Sequence, residues 1–156
     1  MNFFNTIIPY LIIAAVVIFI RTFVLTPVIV SGSSMDDTLK DGELLLLKKY
    51  DKNYERFDII VFDYGDSKLV KRIIGLPGET LEYKDGVLYI NGEIIDDPFA
   101  SVTQNFKLSD TIPENHYFVM GDNRSNSSDS RIIGPISEDT INGTTSFSLW
   151  PFGSVE

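Results

Sequence analysis

The N-terminal end of the chain is one long apolar run, and no other feature restricts the fold as much. From Phe3 to Ile20 almost every residue is apolar, and Arg21 follows. Roughly 20 apolar residues cross a bilayer, and the run reaches that length if the Arg21 side chain extends to the interface. A cleaved secretory signal is disfavoured, because no basic segment precedes the run and no small-x-small site ends it. We therefore expect residues 1–26 to form a retained single-pass anchor, whose orientation the charges do not indicate.

After Leu39 the chain has the pattern of short strands. Brief apolar runs bounded by Asp, Gly and Asn favour strands over helices. Asp-Gly at 85–86 and Asn-Gly at 91–92 lie between such runs and predict hairpin turns, whereas the polar stretch 96–115 predicts a loop. The predicted strands cover residues 43–50, 57–64, 68–74, 80–84, 87–90, 93–95, 117–120 and 144–150.

These elements predict a mainly β protein in two parts. Residues 1–26 supply a single N-terminal transmembrane helix. Residues 27–156 form a strongly bent, barrel-like antiparallel β-sheet domain, in which few strand edges stay open and a small insertion lies around residues 80–115.

The composition excludes several kinds of site. The chain has no cysteine, which rules out a thiol nucleophile and a Cys-ligated zinc ion. Its single histidine, His116, begins a strand-like run and is interpreted as an ordinary strand residue. The net charge of −9, spread along the chain, argues against a nucleic-acid partner. We expect neither a metal nor another cofactor.

The segment Ser31–Leu39 follows the apolar region and is rich in small hydroxyl residues. A serine here could act as a nucleophile, but serine needs a neighbouring base to remove its proton. The alternative is a flexible Ser/Gly linker between anchor and domain.

Lys71 is a candidate for that base. Side chains of a strand alternate between two faces, which places Lys71 between Leu69 and Ile73 and places Arg72 on the opposite face. Burial lowers the pKa of a lysine and makes a neutral amine available, whereas arginine stays protonated. The alternative is that both cations reach solvent at a sheet edge.

The polar loop Gly121–Arg131 could supply an acidic partner for a buried Arg72. Its Asp, Asn and Ser residues commonly fix a loop through side-chain hydrogen bonds to the backbone. A solvated loop without such a role has the same composition.

Four runs, in order along the chain, resemble the sequence boxes of bacterial type I signal peptidases. The single anchor and small insertion resemble the compact Gram-positive type. The apolar N-terminus and the closing FSLWPFG fit the same family. The four runs are SGSSMDDTL, YERFDIIVF, VKRIIGLPGE and GDNRSNSSDSR.

The resemblance implies a role for particular residues. Ser34 matches the nucleophile, Lys71 the general base and Ser127 a serine that orients the lysine amine. The Ser34 N–H would form part of the oxyanion hole, and Gly32 lies where some members carry a second donor. The remaining matches are supporting residues: Asp122 as the partner of Arg72, and the pair Asp129 and Arg131.

One position departs from the family pattern. Asp37 stands where the family usually has proline, and a carboxylate near the amine would favour protonated Lys71. We expect slower cleavage or activity at higher pH, so Asp37→Pro should raise the cleavage rate near neutral pH. An unchanged pH–rate curve would contradict this hypothesis.

The resemblance implies a membrane-anchored serine endopeptidase that removes signal peptides from exported preproteins. It implies cleavage after small residues at positions −1 and −3, on the outer face of the cell membrane, with preproteins and the lipid bilayer as partners. One alternative is a self-cleaving repressor with the same dyad, which the anchor disfavours. The other is a weak or inactive β module that binds signal peptides or an envelope partner.

Overall fold

The computed structural model describes residues 3–36, 38–50 and 52–155. All strand pairs formed by these residues are antiparallel, which confirms the prediction of a mainly β antiparallel protein. The helices are α1 (Phe3–Phe23) and α2 (Ser130–Ile133), and the strands are β1 (Leu25–Ile29), β2 (Leu44–Lys48), β3 (Ile59–Tyr64), β4 (Ser67–Gly75), β5 (Leu81–Lys84), β6 (Val87–Ile90), β7 (Glu93–Ile95), β8 (Phe106–Lys107), β9 (His116–Met120), β10 (Ile136–Ser137), β11 (Ile141–Thr145), β12 (Phe147–Trp150) and β13 (Phe152–Ser154).

Helix α1 takes up the N-terminal apolar run. It has 21 residues, with Pro9 inside it and Arg21 in its last turn. Within the described part of the chain, no helix has both the length and the apolar character needed to cross a membrane. Exposed large apolar side chains on α1 are Ile8, Leu11, Ile12, Ile13, Val16, Val17, Ile18, Phe19 and Ile20.

The strands form two sheets. The larger sheet has the order β10-β9-β4-β3-β11-β2-β12-β13, with β1 paired to β2, and the smaller has the order β7-β6-β5-β8. Irregular pairing interrupts the register in β4, β11 and β12. Such irregularities generally bend a strand and increase its twist.

Strands β4 and β9 each contribute to two hydrophobic cores, because successive side chains point to opposite faces. Ile74 and Phe118 pack with residues of the smaller sheet. Ile73 and Val119, one position away on each strand, pack with side chains of β3 and β10. The cores therefore fix β4 from both sides.

The smaller sheet is built on the two turns expected from the sequence. Asp85-Gly86 joins β5 to β6, and Asn91-Gly92 joins β6 to β7. All four turn residues have positive φ, between 51° and 83°. Asn, Asp and Gly adopt this conformation at low cost, which explains why these turns form where they do.

Three expected elements differ in the structure. The strand expected over 144–150 is divided into β11 and β12, since Ser146 leaves the ladder: β11 pairs with β3 and β2, whereas β12 pairs with β2 and β13. The loop expected over 96–115 contains a 3₁₀ turn at Ala100–Val102 and strand β8. Strand β1 begins at Leu25, within the range assigned to the anchor, because its backbone pairs with β2.

Candidate active site

Ser34 lies on the loop between β1 and β2. Two neighbouring side chains, Met35 and Leu39, are buried in a core with Val30 and Leu45. The N–H of Leu39 donates to the Met35 carbonyl at 2.6 Å, which closes a tight turn. Burial of these apolar side chains therefore fixes the loop against the core. Ser34 is left half-buried beside β4.

Lys71 lies in β4 and meets Ser34 from the facing element. Its side chain is almost fully buried, and its Nζ lies 2.6 Å from Ser34 Oγ. Nζ also donates to the carbonyl oxygen of Val70 at 3.0 Å. Burial lowers the pKa of the Lys71 amine from its ordinary value of 10.5, although the charges of Asp129 and Asp122 act in the opposite direction. A neutral amine in this position can accept the hydroxyl proton of the serine.

Lys71 and Arg72 are both buried, so neither reaches solvent at a sheet edge. Arg72 forms a two-pronged ion pair with Asp122, through Nε to Oδ1 at 2.9 Å and Nη2 to Oδ2 at 2.7 Å. Its Nη1 donates to the Phe57 carbonyl, and the Thr38 hydroxyl donates to Asp122 Oδ2. This pair therefore joins β4, the Ser34 loop and the segment after β9.

A narrow cleft opens beside Ser34 and Lys71. One wall is the end of β1 and the residues after it, 28–31, and the other is the start of β4, 68–71. In the described chain β1 pairs only with β2, and residues 68–71 of β4 pair only with β3. Each wall therefore presents backbone groups that no neighbouring strand uses.

The loop after β9 is fixed by Asp129. This carboxylate accepts the Gly121 N–H at 3.1 Å and two guanidinium contacts from Arg131, both at 2.8 Å. Burial opposes its ionisation, but Arg131, Ser127 and the Gly121 N–H outweigh burial and hold the pKa of Asp129 below its usual range. The loop is thereby closed on itself around an ionised aspartate.

Ser127 points into the same region. Its Oγ is buried, and it has no hydrogen bond of standard geometry to any described group, including Lys71. It lies close enough to Asp129 to help lower the pKa of that carboxylate. The orienting contact to the lysine that the resemblance implies is thus not formed in this structure.

Gly121 was not singled out from the sequence, yet it packs tightly against the Ser34 backbone. A Cβ at this position would come within 2.4 Å of the Ser34 carbonyl oxygen and 2.3 Å of Ser127 Oγ. Real Cβ atoms do not approach other atoms so closely, so the loop can lie here only with glycine. Its place at the head of the GDNR run was the available signal.

Two asparagines of the same loop also hold the nucleophile segment. The Asn123 N–H donates to the Ser34 carbonyl at 3.1 Å, and its side-chain amide donates to the Ser33 carbonyl at 3.0 Å. The Asn126 amide donates to Ser33 Oγ at 2.9 Å. The sequence indicated a hydrogen-bonding loop but not that its target would be residues 33–34.

Three other residues were singled out from the sequence, namely Gly32, Asp37 and His116. Gly32 has φ +94°, and its N–H donates to the Asp41 carboxylate at 2.8 Å. Asp37 lies outside the described residues. His116, on β9, places its ring against the Glu114 carbonyl.

No group of His, Asp or Glu among residues 3–36, 38–50 and 52–155 is arranged to hold a metal ion.

Known proteins match this chain along most of its length. The family model described as "Signal peptidase, peptidase S26" matches residues 3–150. "Signal peptidase I" of Bacillus licheniformis is 42% identical over 92% of this chain and 88% of its own length. "Signal peptidase IB" of Staphylococcus aureus is 38% identical over 90% of this chain and 86% of its own.

A solved structure agrees with these matches. A signal peptidase I from Enterococcus faecalis superposes with a TM-score of 0.56 at 41% identity, over 59% of this chain and 96% of that one. The chain therefore belongs to the signal peptidase family, peptidase S26, whose members are serine endopeptidases, as the four sequence runs predicted.

Proposed function

We propose that this chain removes N-terminal signal peptides from exported preproteins with a Ser34–Lys71 dyad. The observation that carries the proposal is the 2.6 Å distance between Lys71 Nζ and Ser34 Oγ, at a place where burial lowers the pKa of the amine. Relatives named signal peptidase I support the reaction class.

The reaction proceeds in two stages. Ser34 Oγ attacks the scissile carbonyl carbon while its proton passes to Lys71 Nζ, and the tetrahedral intermediate then expels the amine, which takes that proton. Water, deprotonated by Lys71, hydrolyses the acyl-enzyme and frees Ser34. The Ser34 N–H stabilises the oxyanion, whereas the Gly32 N–H is engaged by Asp41.

The substrate binds as an added strand in the cleft beside the dyad. Free backbone groups on both walls support this mode, because strand addition uses main-chain hydrogen bonds for affinity and side-chain pockets for specificity. Resemblance to the family suggests small residues at −1 and −3, and the narrowness of the cleft agrees with small side chains.

The supporting residues keep Ser34 and Lys71 aligned with each other. We assign Arg72 and Asp122 to the attachment of β4, and Asp129 and Arg131 to the shape of the loop. Ser127 orients the lysine amine once substrate is bound. The support for the four charged residues is their two ion pairs. The support for Ser127 is the family resemblance together with a buried hydroxyl that makes no other hydrogen bond of standard geometry within the described chain.

The N-terminal residues 1–26 anchor the enzyme in the cell membrane, and residues 27–156, with an insertion around 80–115, form the catalytic part on the outer face. Exposed apolar side chains along α1 support the anchor. Attachment to the surface where preproteins emerge would raise their effective concentration at the site.

Cleavage of a preprotein with an Ala-x-Ala site, measured in detergent from pH 6 to 10, tests the proposal. The wild type should cut after the second alanine, with a rate that rises through a midpoint below the ordinary lysine pKa. Ser34→Ala and Lys71→Met should both be inactive, whereas the exposed Ile132→Ala should match the wild type. Activity in either dyad variant would refute the assigned roles.

A further inference from the structure

A second buried ion pair lies outside the proposed dyad. Arg124 Nη1 and Nη2 contact the two carboxylate oxygens of Asp97 at 2.8 and 3.0 Å, and both side chains are fully buried. A buried pair of this kind is costly unless every remaining donor and acceptor is satisfied, so its other contacts are informative.

Those contacts come from the smaller sheet and the segment that follows it. Asp97 accepts the Tyr83 hydroxyl at 2.6 Å and the Phe99 N–H at 3.1 Å. Arg124 Nη1 also contacts the hydroxyls of Tyr83 and Thr103, at 3.0 and 2.7 Å. The guanidinium is therefore held by side chains from three places between residues 83 and 103.

The remaining contacts of Arg124 lead toward Ser34. Its Nε donates to the Gly121 carbonyl at 3.0 Å, and its own carbonyl accepts Arg131 Nη2 at 2.8 Å. Gly121 in turn packs against the Ser34 carbonyl and donates its N–H to Asp129. One side chain thus ties the smaller sheet to the residue that contacts the nucleophile backbone.

Phe99 adds a second connection between the same regions. Its ring lies 5.4 Å from the Arg124 guanidinium carbon and 5.9 Å from that of Arg72. An aromatic ring attracts a cation at this distance. The ring therefore sits between the ion pair of the smaller sheet and the ion pair that attaches β4.

We propose that Arg124, clamped by Asp97, is a positioning residue that holds Gly121 against Ser34 and so aligns the dyad. The smaller sheet then contributes to catalysis by fixing the loop 121–131, without contacting substrate. This inference rests on the proposed function and deepens it.

Arg124→Lys in the full-length chain is the decisive variant, because lysine keeps the charge but cannot hold Gly121 and both Asp97 oxygens at once. We expect kcat to fall about 10²-fold, the scale of a slight misplacement of reacting groups, with KM nearly unchanged. Lys107→Gln, in an exposed ion pair of the same sheet, should keep the wild-type kcat. A folded Arg124→Lys variant with wild-type kcat would overturn the proposal.

Thr103→Val covers the case in which Arg124→Lys does not fold. It removes the hydrogen bond that Arg124 donates to the Thr103 hydroxyl and the one that this hydroxyl donates to the Phe99 carbonyl. It should lower kcat roughly three- to tenfold. A folded Thr103→Val variant with unchanged kcat would equally overturn the proposal.

Amide hydrogen exchange separates this inference from the proposed function. The amides of Gly121 and Asn123 should exchange faster in Arg124→Lys and Thr103→Val than in Lys107→Gln. If the wild type does not cleave but this difference in exchange rate appears, the proposed reaction is wrong, whereas the role of Arg124 in holding Gly121 is supported. If the wild type cleaves and the exchange rates are the same in all variants, Arg124 does not hold Gly121 in place and this inference is wrong.

Discussion

The role of base that we propose for Lys71 depends on the burial of its side chain. Water no longer stabilises the charged form of the amine, and this outweighs the attraction of Asp129 and Asp122. The two carboxylates are themselves occupied by Arg131 and Arg72, so each arginine offsets negative charge near the lysine.

The lowered pKa has a measurable effect on stability. Between the folded pKa of Lys71 and its unfolded value near 10.5, only the unfolded chain holds the proton, so the free energy of unfolding rises with pH across this window. Lys71→Met lacks this contribution, so the wild type should gain stability relative to the variant as pH rises. Urea unfolding of both proteins at several pH values measures the difference. A constant difference would show that burial does not lower the pKa.

Gly121 gives a second prediction at the level of one residue. Gly121→Ala should reduce cleavage about 10²-fold or more, because the new methyl group would displace the Ser34 backbone. Gly153→Ala, where a Cβ meets no atom within 4 Å, should cleave like the wild type. Equal activity of the two variants would mean that the loop moves aside without consequence.

Strand β4 carries two neighbouring cations with different tasks. Because strand side chains alternate, Lys71 reaches the Ser34 loop and Arg72 reaches Asp122 after β9. The strand thus makes contacts on both of its faces. Its position depends on the ion pair between Arg72 and Asp122.

Asp122→Asn tests this attachment. Removal of one partner leaves the Arg72 charge buried and unpaired, so the free energy of unfolding should fall by about 3–5 kcal/mol. Glu82→Gln, which breaks the exposed pair with Lys107, should cost no more than about 1 kcal/mol. Denaturant unfolding compares the two, and similar small losses would indicate that the buried pair contributes little to the attachment.

At the level of the whole molecule, the two sheets meet at β4 and β9. The core between them contains side chains from both strands and from β5 and β6. The second core lies on the opposite face of β4 and β9. The second half of β4, from Lys71 to Gly75, is therefore enclosed within the protein, whereas its first half lines the cleft.

Membrane attachment is tested on the full chain. Ile13→Lys with Val17→Lys places two charges on exposed apolar positions of α1, each costing about 2.5–3.5 kcal/mol at the centre of a membrane helix. We expect the variant to leave the membrane fraction on alkaline extraction. The matched variant Ile94→Lys with Ile132→Lys, at exposed positions outside α1, should remain there. Retention of both would contradict the proposed anchor.

Local chemistry made part of the fold predictable. Strands β6 and β7 begin and end where the sequence indicated, because Asp-Gly and Asn-Gly adopt positive φ whatever lies around them. Strand β8 and the division between β11 and β12 were missed, since they depend on which distant strand offers free backbone groups. Four sequence runs were enough to indicate the family.

The sequence by itself determined the β character, the hairpin turns, the family and the residue types that the proposed chemistry needs. Only the tertiary structure decided the contact geometry: Lys71 Nζ lies 2.6 Å from Ser34 Oγ across 37 positions of sequence, and Arg124 meets Asp97 across 27. It also decided that Gly121 must lack a side chain. The physical reason is that burial and close packing are properties of several segments brought together, and no single segment carries them.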